Sequence, residues 1–330
     1  MQAVDQAHKA AEGKRQGVPA PTLSVVIPTF GMRSTTLLRR TLTSLSQEQR
    51  PAGFKEVIVV ENGPRSDAQA VCAEFAASLA PIYLYSPVTG VSQARNLGAR
   101  HAQGDMLIFL DNDIRLSGTS LVAYASAFAS HGIECFFGGP VHTDYETPPA
   151  PELLAFMPES VRGFALALKQ TQTVAPSQRF LGANHAIPKW AFDRLAGFDY
   201  PGAAGSNDGG IGEETRLQDR LVQIGLQGVY VPEAAVWHFV PAYGCDLAWL
   251  EQRYTRYGRT EAILALAAGP AARGFLGVPL WLARARIENL LLRLHLTIRR
   301  APRAARIAAA LDAHRLAGKM SGYRNRKRAQ

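Results

Sequence analysis

Met106-Leu-Ile-Phe-Leu-Asp-Asn-Asp113 is a five-residue apolar run that passes without a break into two carboxylates. A short uninterrupted apolar run reads as a strand buried on both faces, and the acids then mark where it emerges. Upstream, Ser92 to Ala102 has the pattern of a helix, Ile82-Tyr-Leu-Tyr85 of a strand, and Ala68 to Leu79 of another helix. Val57-Ile-Val-Val60 is a strand closed by the turn sequence Glu61-Asn-Gly-Pro64. Ser34 to Leu45 is helical through Leu37, Leu38, Leu42 and Leu45, and Leu23-Ser-Val-Val-Ile27 is a first strand stopped by Pro28. Strand and helix alternate four times, which predicts an α/β fold with a mainly parallel central sheet covered on both faces. Ligands of such sheets sit beyond the carboxyl ends of the strands. That places Pro28–Arg33, Glu61–Pro64 and Asp111–Asp113 around one crevice.

Downstream, Phe136-Phe-Gly-Gly139 and Phe180-Leu-Gly-Ala-Asn184 read as short strands. Glu213 to Gly225 reads as a helix, and Val229–Val231 and Ala235–Trp237 as strands. After Trp249 the pattern is helical. Of the 330 residues, 47% are apolar and 19% charged, which excludes a disordered or fibrous chain. From Trp249 onward there are 17 Lys or Arg against 4 Asp or Glu, whereas the rest carries 19 against 23. The overall charge of +9 is therefore a property of the tail. Cys72, Cys135 and Cys245 have no metal-like or redox-like spacing and read as reduced core thiols of a cytoplasmic protein. The polar stretch 1–20 lacks an apolar core of a secretory signal and is expected to be a flexible segment. No run of about 18 apolar residues offers a membrane span.

The candidate chemistry lies at the strand ends. Asp111 and Asp113 flank Asn112 on a turn, and hard carboxylate oxygens there suit Mg²⁺ or Mn²⁺ bridging to a diphosphate, although Asp and Asn are also ordinary turn residues. Glu61 and Asn62 could accept hydrogen bonds from a base or ribose, or simply belong to the turn. Within Gly90-Val-Ser-Gln-Ala-Arg-Asn-Leu-Gly98, Gly90 permits close backbone approach, and Arg95 and Asn96 are polar residues among small ones. Glu213 and Glu214 open a helix, where acids suit the dipole or where one could take a proton from an attacking hydroxyl. His238 follows the strand-like Val236-Trp237. A lone histidine is more often structural, and no histidine pair has zinc-ligand spacing.

In their order along residues 22 to 240, these segments resemble the family 2 glycosyltransferases. The residues that carry the resemblance are Ser24-Val-Val-Ile-Pro-Thr-Phe30, Val59-Val-Glu-Asn-Gly63, Gly90–Gly98 and Gly104–Asp113. Gly182-Ala-Asn184, Gly197-Phe-Asp199, Gly212-Glu-Glu-Thr-Arg-Leu217 and Val231–His238 complete it. The resemblance implies a GT-A nucleotide-sugar-binding domain over 21–245, followed by a basic helical extension over 246–330. It implies that Pro28, Thr29 and Glu61 line the donor pocket together with Asn62 and Asn112, and that Arg95 and Asp105 lie near the uracil or ribose-diphosphate. Asp111 would contact the ribose or sugar. Asp113, with Asp111 and His238, would hold Mn²⁺ or Mg²⁺. Glu214 would be the catalytic base with Glu213 beside it, and Asn184 and Lys189 would face the acceptor. The chain departs from the family's pattern where Glu61 replaces a frequent Asp, where Glu-Glu replaces Glu-Asp, and where Lys189 replaces a frequent Arg.

The activity implied is inverting transfer of a sugar to a hydroxyl of a glycan or lipid-linked acceptor, for cell-surface polysaccharide or glycolipid synthesis. A UDP-hexose is the first expected donor, with a dTDP- or GDP-sugar as alternatives. A nucleotidyltransferase would carry a Gly- and Arg-rich first loop in place of Pro28-Thr-Phe-Gly-Met-Arg33, and a dehydrogenase a Gly-x-Gly-x-x-Gly. A non-catalytic nucleotide-sugar or partner binder of the same fold is the remaining alternative.

In the tail, Leu280, Trp281, Ile287, Leu290, Leu291 and Leu294 share one helix face. That face either packs back on the catalytic domain or lies on an anionic membrane surface, making the protein peripheral on the cytoplasmic leaflet. No nucleic-acid-binding motif accompanies the charge, so nucleic acid is not an expected partner.

Overall fold

The β-branched and leucine-rich runs of the first 110 residues assemble side by side because each is apolar on both faces and can be satisfied only inside a sheet. The computed structural model describes residues 21–31, 34–199, 212–269, 274–275 and 278–324. The segment 1–20, expected to be flexible, lies outside them, as does most of the Gly-rich stretch before Glu213.

In chain order the elements are β1 (Leu23–Thr29), α1 (Ser34–Ser46), β2 (Phe54–Asn62), α2 (Ala68–Glu74), β3 (Ile82–Ser86) and α3 (Val91–His101). There follow β4 (Met106–Leu110), β5 (Ile114–Leu116), α4 (Ser120–His131), β6 (Cys135–Gly138) and β7 (Val141–Tyr145). The short helices α5 (Pro151–Leu154) and α6 (Glu159–Arg162) lead to β8 (Gln172–Thr173), β9 (Asn184–Pro188) and α7 (Lys189–Arg194). Then come α8 (Glu213–Gln223), β10 (Gln227–Tyr230) and β11 (Val236–Val240). The tail holds α9 (Leu247–Ala268), α10 (Leu280–Ile298) and α11 (Arg303–Arg324).

Eight strands form one sheet in the order β3-β2-β1-β4-β9-β6-β10-β8. β3, β2, β1 and β4 are parallel, β9 runs against β4 and β6, and β10 is parallel to β6. β1 and β4 are buried at every position, as their uninterrupted runs require. A second sheet, β5-β11-β7, stands beyond the carboxyl end of β4. The expected strand at Phe180–Asn184 forms only from Asn184 onward. The backbone N–H and carbonyl of Phe180 are both taken by the Gln218 side chain of α8, at 2.8 and 2.9 Å, and so are lost to a ladder. Gly98 on α3 lets that helix lie directly on the sheet, since a Cβ there would stand 2.5 Å from Val26 Cγ1.

The tail joins the α/β unit through a separate apolar cluster of Leu153, Met157, Val161, Val240, Cys245, Leu250, Ile307 and Leu311. α9 and α11 pack backbone to backbone at Gly258 and Gly318, where a Cβ would collide with the carbonyls of Arg315 and Thr255 respectively. Leu250, Ile307 and Leu311 are buried, so α9 and α11 carry the docking. The apolar face of α10 does not pack back on the catalytic domain. Among the described residues no helix is long and apolar enough to cross a membrane.

Candidate active site

Asp111, Asn112 and Asp113 occupy the turn between β4 and β5. β5 pairs with β11 in a register that sets Ile114 opposite His238, and the Phe239 N–H bonds the Asp113 carbonyl at 2.8 Å. The ladder therefore fixes His238 beside Asp113, with Nε2 3.4 Å from a carboxylate oxygen. One ligand atom from each of Asp111, Asp113 and His238 lies within 4.8 Å of the others. Asp113 Oδ1 is buried and accepts no hydrogen bond among the described residues. Two carboxylates and one imidazole grouped this closely fit a divalent cation. The nitrogen ligand suits Mn²⁺ better than the all-oxygen preference of Mg²⁺. Burial pulls the His238 pKa down, but Asp113 and Asp111 outweigh it and the net shift is upward.

Opposite this group lies Arg95, on the face of α3 turned to the sheet and 3% exposed. Its Nη2 is 2.7 Å from Asp111 Oδ1 and 3.2 Å from the Gly182 carbonyl, and its Nη1 is 3.5 Å from Glu213 Oε1. The guanidinium also lies 5.4 Å from the Phe198 ring centroid. Glu213 and Glu214 form the first turn of α8, whose N-cap Gly212 has φ 87°, in the left-handed region open to glycine. The helix is held in place by buried Leu217 and Leu221 and by the Gln218 clamp on Phe180. Glu213 is buried, whereas Glu214 is half-buried with its Cγ near Gly182. Burial, and then the neighbouring Glu214, push the Glu213 pKa up to about 7 against the pull of Arg95. Four carboxylates thus meet one arginine and one histidine, an excess of negative charge that a divalent cation would relieve.

Stability should reflect this carboxyl. Its pKa is higher folded than unfolded, so the folded state binds its proton more tightly, and this contribution falls as pH rises from the ordinary carboxylate range to about 7. Glu213→Gln, which cannot ionise, should match the wild type near pH ~4 and melt several degrees higher near pH ~8. Melting curves across that range give the answer, and parallel curves for the two proteins would refute the assignment.

The residues expected on the donor side are drawn together at the ends of β1 and β2, but mainly by contacts to one another. Asn62 Nδ2 donates to the Thr29 carbonyl at 2.8 Å and its Oδ1 accepts from the Gly90 N–H at 2.9 Å. Asn112 Nδ2 donates to Thr29 Oγ1 at 2.9 Å. Pro28 is buried opposite Val60. Glu61 is fully buried, accepting from the Ser66 N–H and hydroxyl and from the Tyr83 hydroxyl. Tyr83 and Ser66 were not anticipated. The alternation in Ile82-Tyr-Leu-Tyr85, which turns Tyr83 and Tyr85 to one side of the strand, was the available signal.

Two expected residues are not brought to the crevice, and a third, Asn184, reaches that end of the sheet with its side chain fully engaged. Asp105 precedes β4 and so stands at its amino end, roughly 20 Å of strand from Asp111. There it accepts from the Thr22 N–H at 3.1 Å and hydroxyl at 2.6 Å. Lys189 sits beside it, because β9 runs antiparallel to β4. Its N–H bonds the Asp105 carbonyl at 2.7 Å and its ammonium pairs with Asp193 at 3.0 Å. Asn184 is at the correct end but fully buried. It donates to the Pro140 and Ala234 carbonyls at 3.2 and 2.7 Å and accepts from the Tyr124 hydroxyl at 2.8 Å. Its polar atoms tie β9 to the loops around it, leaving it no free group for an acceptor.

The family model described as Glycosyl transferase family 2 matches residues 24–183, which contain β1, β2, the Asp111–Asp113 turn and Arg95. Over those residues, just under half of its length, the chain is similar to this family. It is 35% identical over 113 residues to validoxylamine A glucosyltransferase of Streptomyces hygroscopicus subsp. jinggangensis (strain 5008), covering 34% of this chain and 26% of that one. The chain thus spans about a quarter of the length of that relative. Over 236 residues it is 27% identical to the succinoglycan biosynthesis protein ExoM of Rhizobium meliloti (strain 1021), covering 69% and 71% of the two chains. The mannosyltransferase PcManGT of Pyrobaculum calidifontis, solved in complex with GDP-Man and Mn²⁺, aligns with a TM-score of 0.52 at 17% identity, over 97% of this chain and 95% of that one. At that identity the likeness is one of fold, and the chain shares the GT-A architecture.

Proposed function

We propose that the protein is a metal-dependent, inverting hexosyltransferase that moves a sugar from a nucleotide-sugar to a hydroxyl of a glycan or lipid-linked acceptor. The observation that carries the reading is the convergence of Asp111, Asp113 and His238 with Arg95, Glu213 and Glu214 across one crevice. Asp111, Asp113 and His238 would hold Mn²⁺ or Mg²⁺, whose chemistry there is to offset charge developing on the departing nucleoside diphosphate. Glu214, half-buried and not bound to Arg95, takes the proton of the acceptor hydroxyl as that oxygen attacks the anomeric carbon. Arg95 holds Asp111 and Glu213 in fixed relation, so the two sides of the crevice are set before substrate arrives. A UDP-hexose is the proposed donor, and synthesis of a cell-surface polysaccharide or glycolipid the proposed setting. The division into a transferase domain over 21–245 and an extension over 246–330 belongs to the same reading. So does a cytoplasmic location, consistent with the free, buried thiols of Cys72, Cys135 and Cys245.

Thermal melting with a panel of nucleoside diphosphates and nucleotide-sugars, each with and without Mn²⁺, tests the assignment. A ligand at about a hundred times its Kd stabilises by ~2.7 kcal/mol, a rise of roughly 5–10 °C for a domain of this size. The shift should require both Mn²⁺ and one nucleotide, and Asp113→Ala should abolish its metal-dependent part. Folded wild-type protein that shifts with none of them would overturn the reading.

A further inference from the structure

α10 is inverted relative to an ordinary surface helix. Asn289 points into the protein, donating to the Ala309 carbonyl and to Asp312, both at 3.0 Å, and Leu282 is buried beside it against α11. These contacts fix the helix's rotation. The opposite face carries Leu280, Ile287, Leu290, Leu291, Leu294 and Ile298, each 57–70% exposed. Their spacings of three, four and seven place them in one stripe along the helix. Trp281, at about 100° from Leu280, lies on the flank with the Lys319 ammonium 5.7 Å from its ring.

Arginines border the stripe on both sides, Arg284 on one and Arg286 and Arg293 on the other, all exposed. The tail's acids are already engaged: Glu288 by Arg284, Glu261 by Arg315 and Lys319, Glu251 by His314, and Asp312 by Asn289. Among the described residues, Arg286, Arg293, Arg299 and Arg300 have no carboxylate within ion-pair distance. A second copy laid stripe on stripe would set arginine rows against each other with no free acid between them. An anionic bilayer offers the complement to both features, hydrocarbon for the stripe and phosphate for its borders. We infer that α10 is an interfacial helix that docks the protein on an anionic lipid surface, its leucine stripe in the headgroup–acyl boundary.

The test is flotation of the full chain with vesicles of phosphatidylcholine, alone or mixed with phosphatidylglycerol. The wild type should float with the anionic vesicles and far less with the neutral ones. Leu290→Glu combined with Leu294→Glu should weaken flotation at least tenfold with the melting temperature unchanged, because both positions are exposed. Arg286→Gln and Arg293→Gln should each weaken anionic binding by about fivefold. Wild-type protein that stays at the bottom with anionic vesicles, or leucine variants that float like the wild type, would overturn the inference. A lipid-free dimer that the leucine variants convert to monomer would also overturn it, since the stripe would then be covered by a second copy. Flotation needs neither donor nor turnover, so its outcome is separate from that of the transferase assignment.

Discussion

Glu214→Gln should lower kcat by roughly 10²–10⁴, the range for losing a positioned general base, while leaving the Mn²⁺-dependent thermal shift with nucleotide intact. The two neighbouring acids differ in what already holds them. Glu213 is 9% exposed and its carboxylate faces Arg95, so its oxygen is directed inward. Glu214 is half-buried, its Cγ lies beside Gly182, where a Cβ would stand 3.3 Å away, and no ion pair to Arg95 holds its carboxylate among the described residues. Glu213→Gln keeps the shape and one acceptor oxygen and should reduce kcat much less. Assays of transfer, or of donor hydrolysis if the acceptor is unidentified, decide between them. If Glu213→Gln abolished turnover and Glu214→Gln did not, the proton acceptor would be Glu213, whose pKa of about 7 also suits a base near neutral pH.

What could be read in the sequence followed from burial on two faces. β1 and β4 are continuous apolar runs because both of their faces are buried, and their alternation with helices was visible from residue 23 to residue 110. β5, β7 and β8 went unseen. They have three, five and two residues, and only register with β11 or β10 makes them strands. The misplaced start of β9 has a local cause, since Phe180 and Leu181 look strand-like until a distant glutamine occupies the backbone of Phe180. The site shows the same division. Asp111, Asp113 and His238 were recognisable as residue types, but their convergence depends on the pairing of Ile114 with His238, more than a hundred residues apart in sequence. Asp105 was assigned to the crevice although it precedes a five-residue strand, and strand direction alone puts it at the far end. The tail was legible as an amphipathic pattern, yet which face would be buried turned on Asn289 finding partners on α11.

Arg95→Met should be the most destabilising single change in the crevice, costing about 3–5 kcal/mol, as expected when one partner of a buried charge cluster is removed. The guanidinium is surrounded by Asp111, Glu213 and the Gly182 carbonyl, and methionine fills its volume without replacing any of those bonds. For a domain of this size the loss corresponds to a fall in Tm on the order of 10 °C. Its pH dependence identifies the cause. Arg95 pulls the Glu213 pKa down against burial and Glu214, so without it that carboxyl should titrate above its present value of about 7. At pH values below that, Glu213 in the variant takes a proton and sheds the uncompensated charge, so the deficit against the wild type should be smaller near pH ~6 than near pH ~8. Arg95→Lys keeps a charge but loses the fork that reaches two carboxylates and a carbonyl at once, and should fall between the two proteins. Calorimetric melts of the three proteins at both pH values would measure this. A deficit below about 1 kcal/mol, or one independent of pH, would mean that Arg95 merely fills space and that Asp111 and the α8 acids are positioned by the backbone alone.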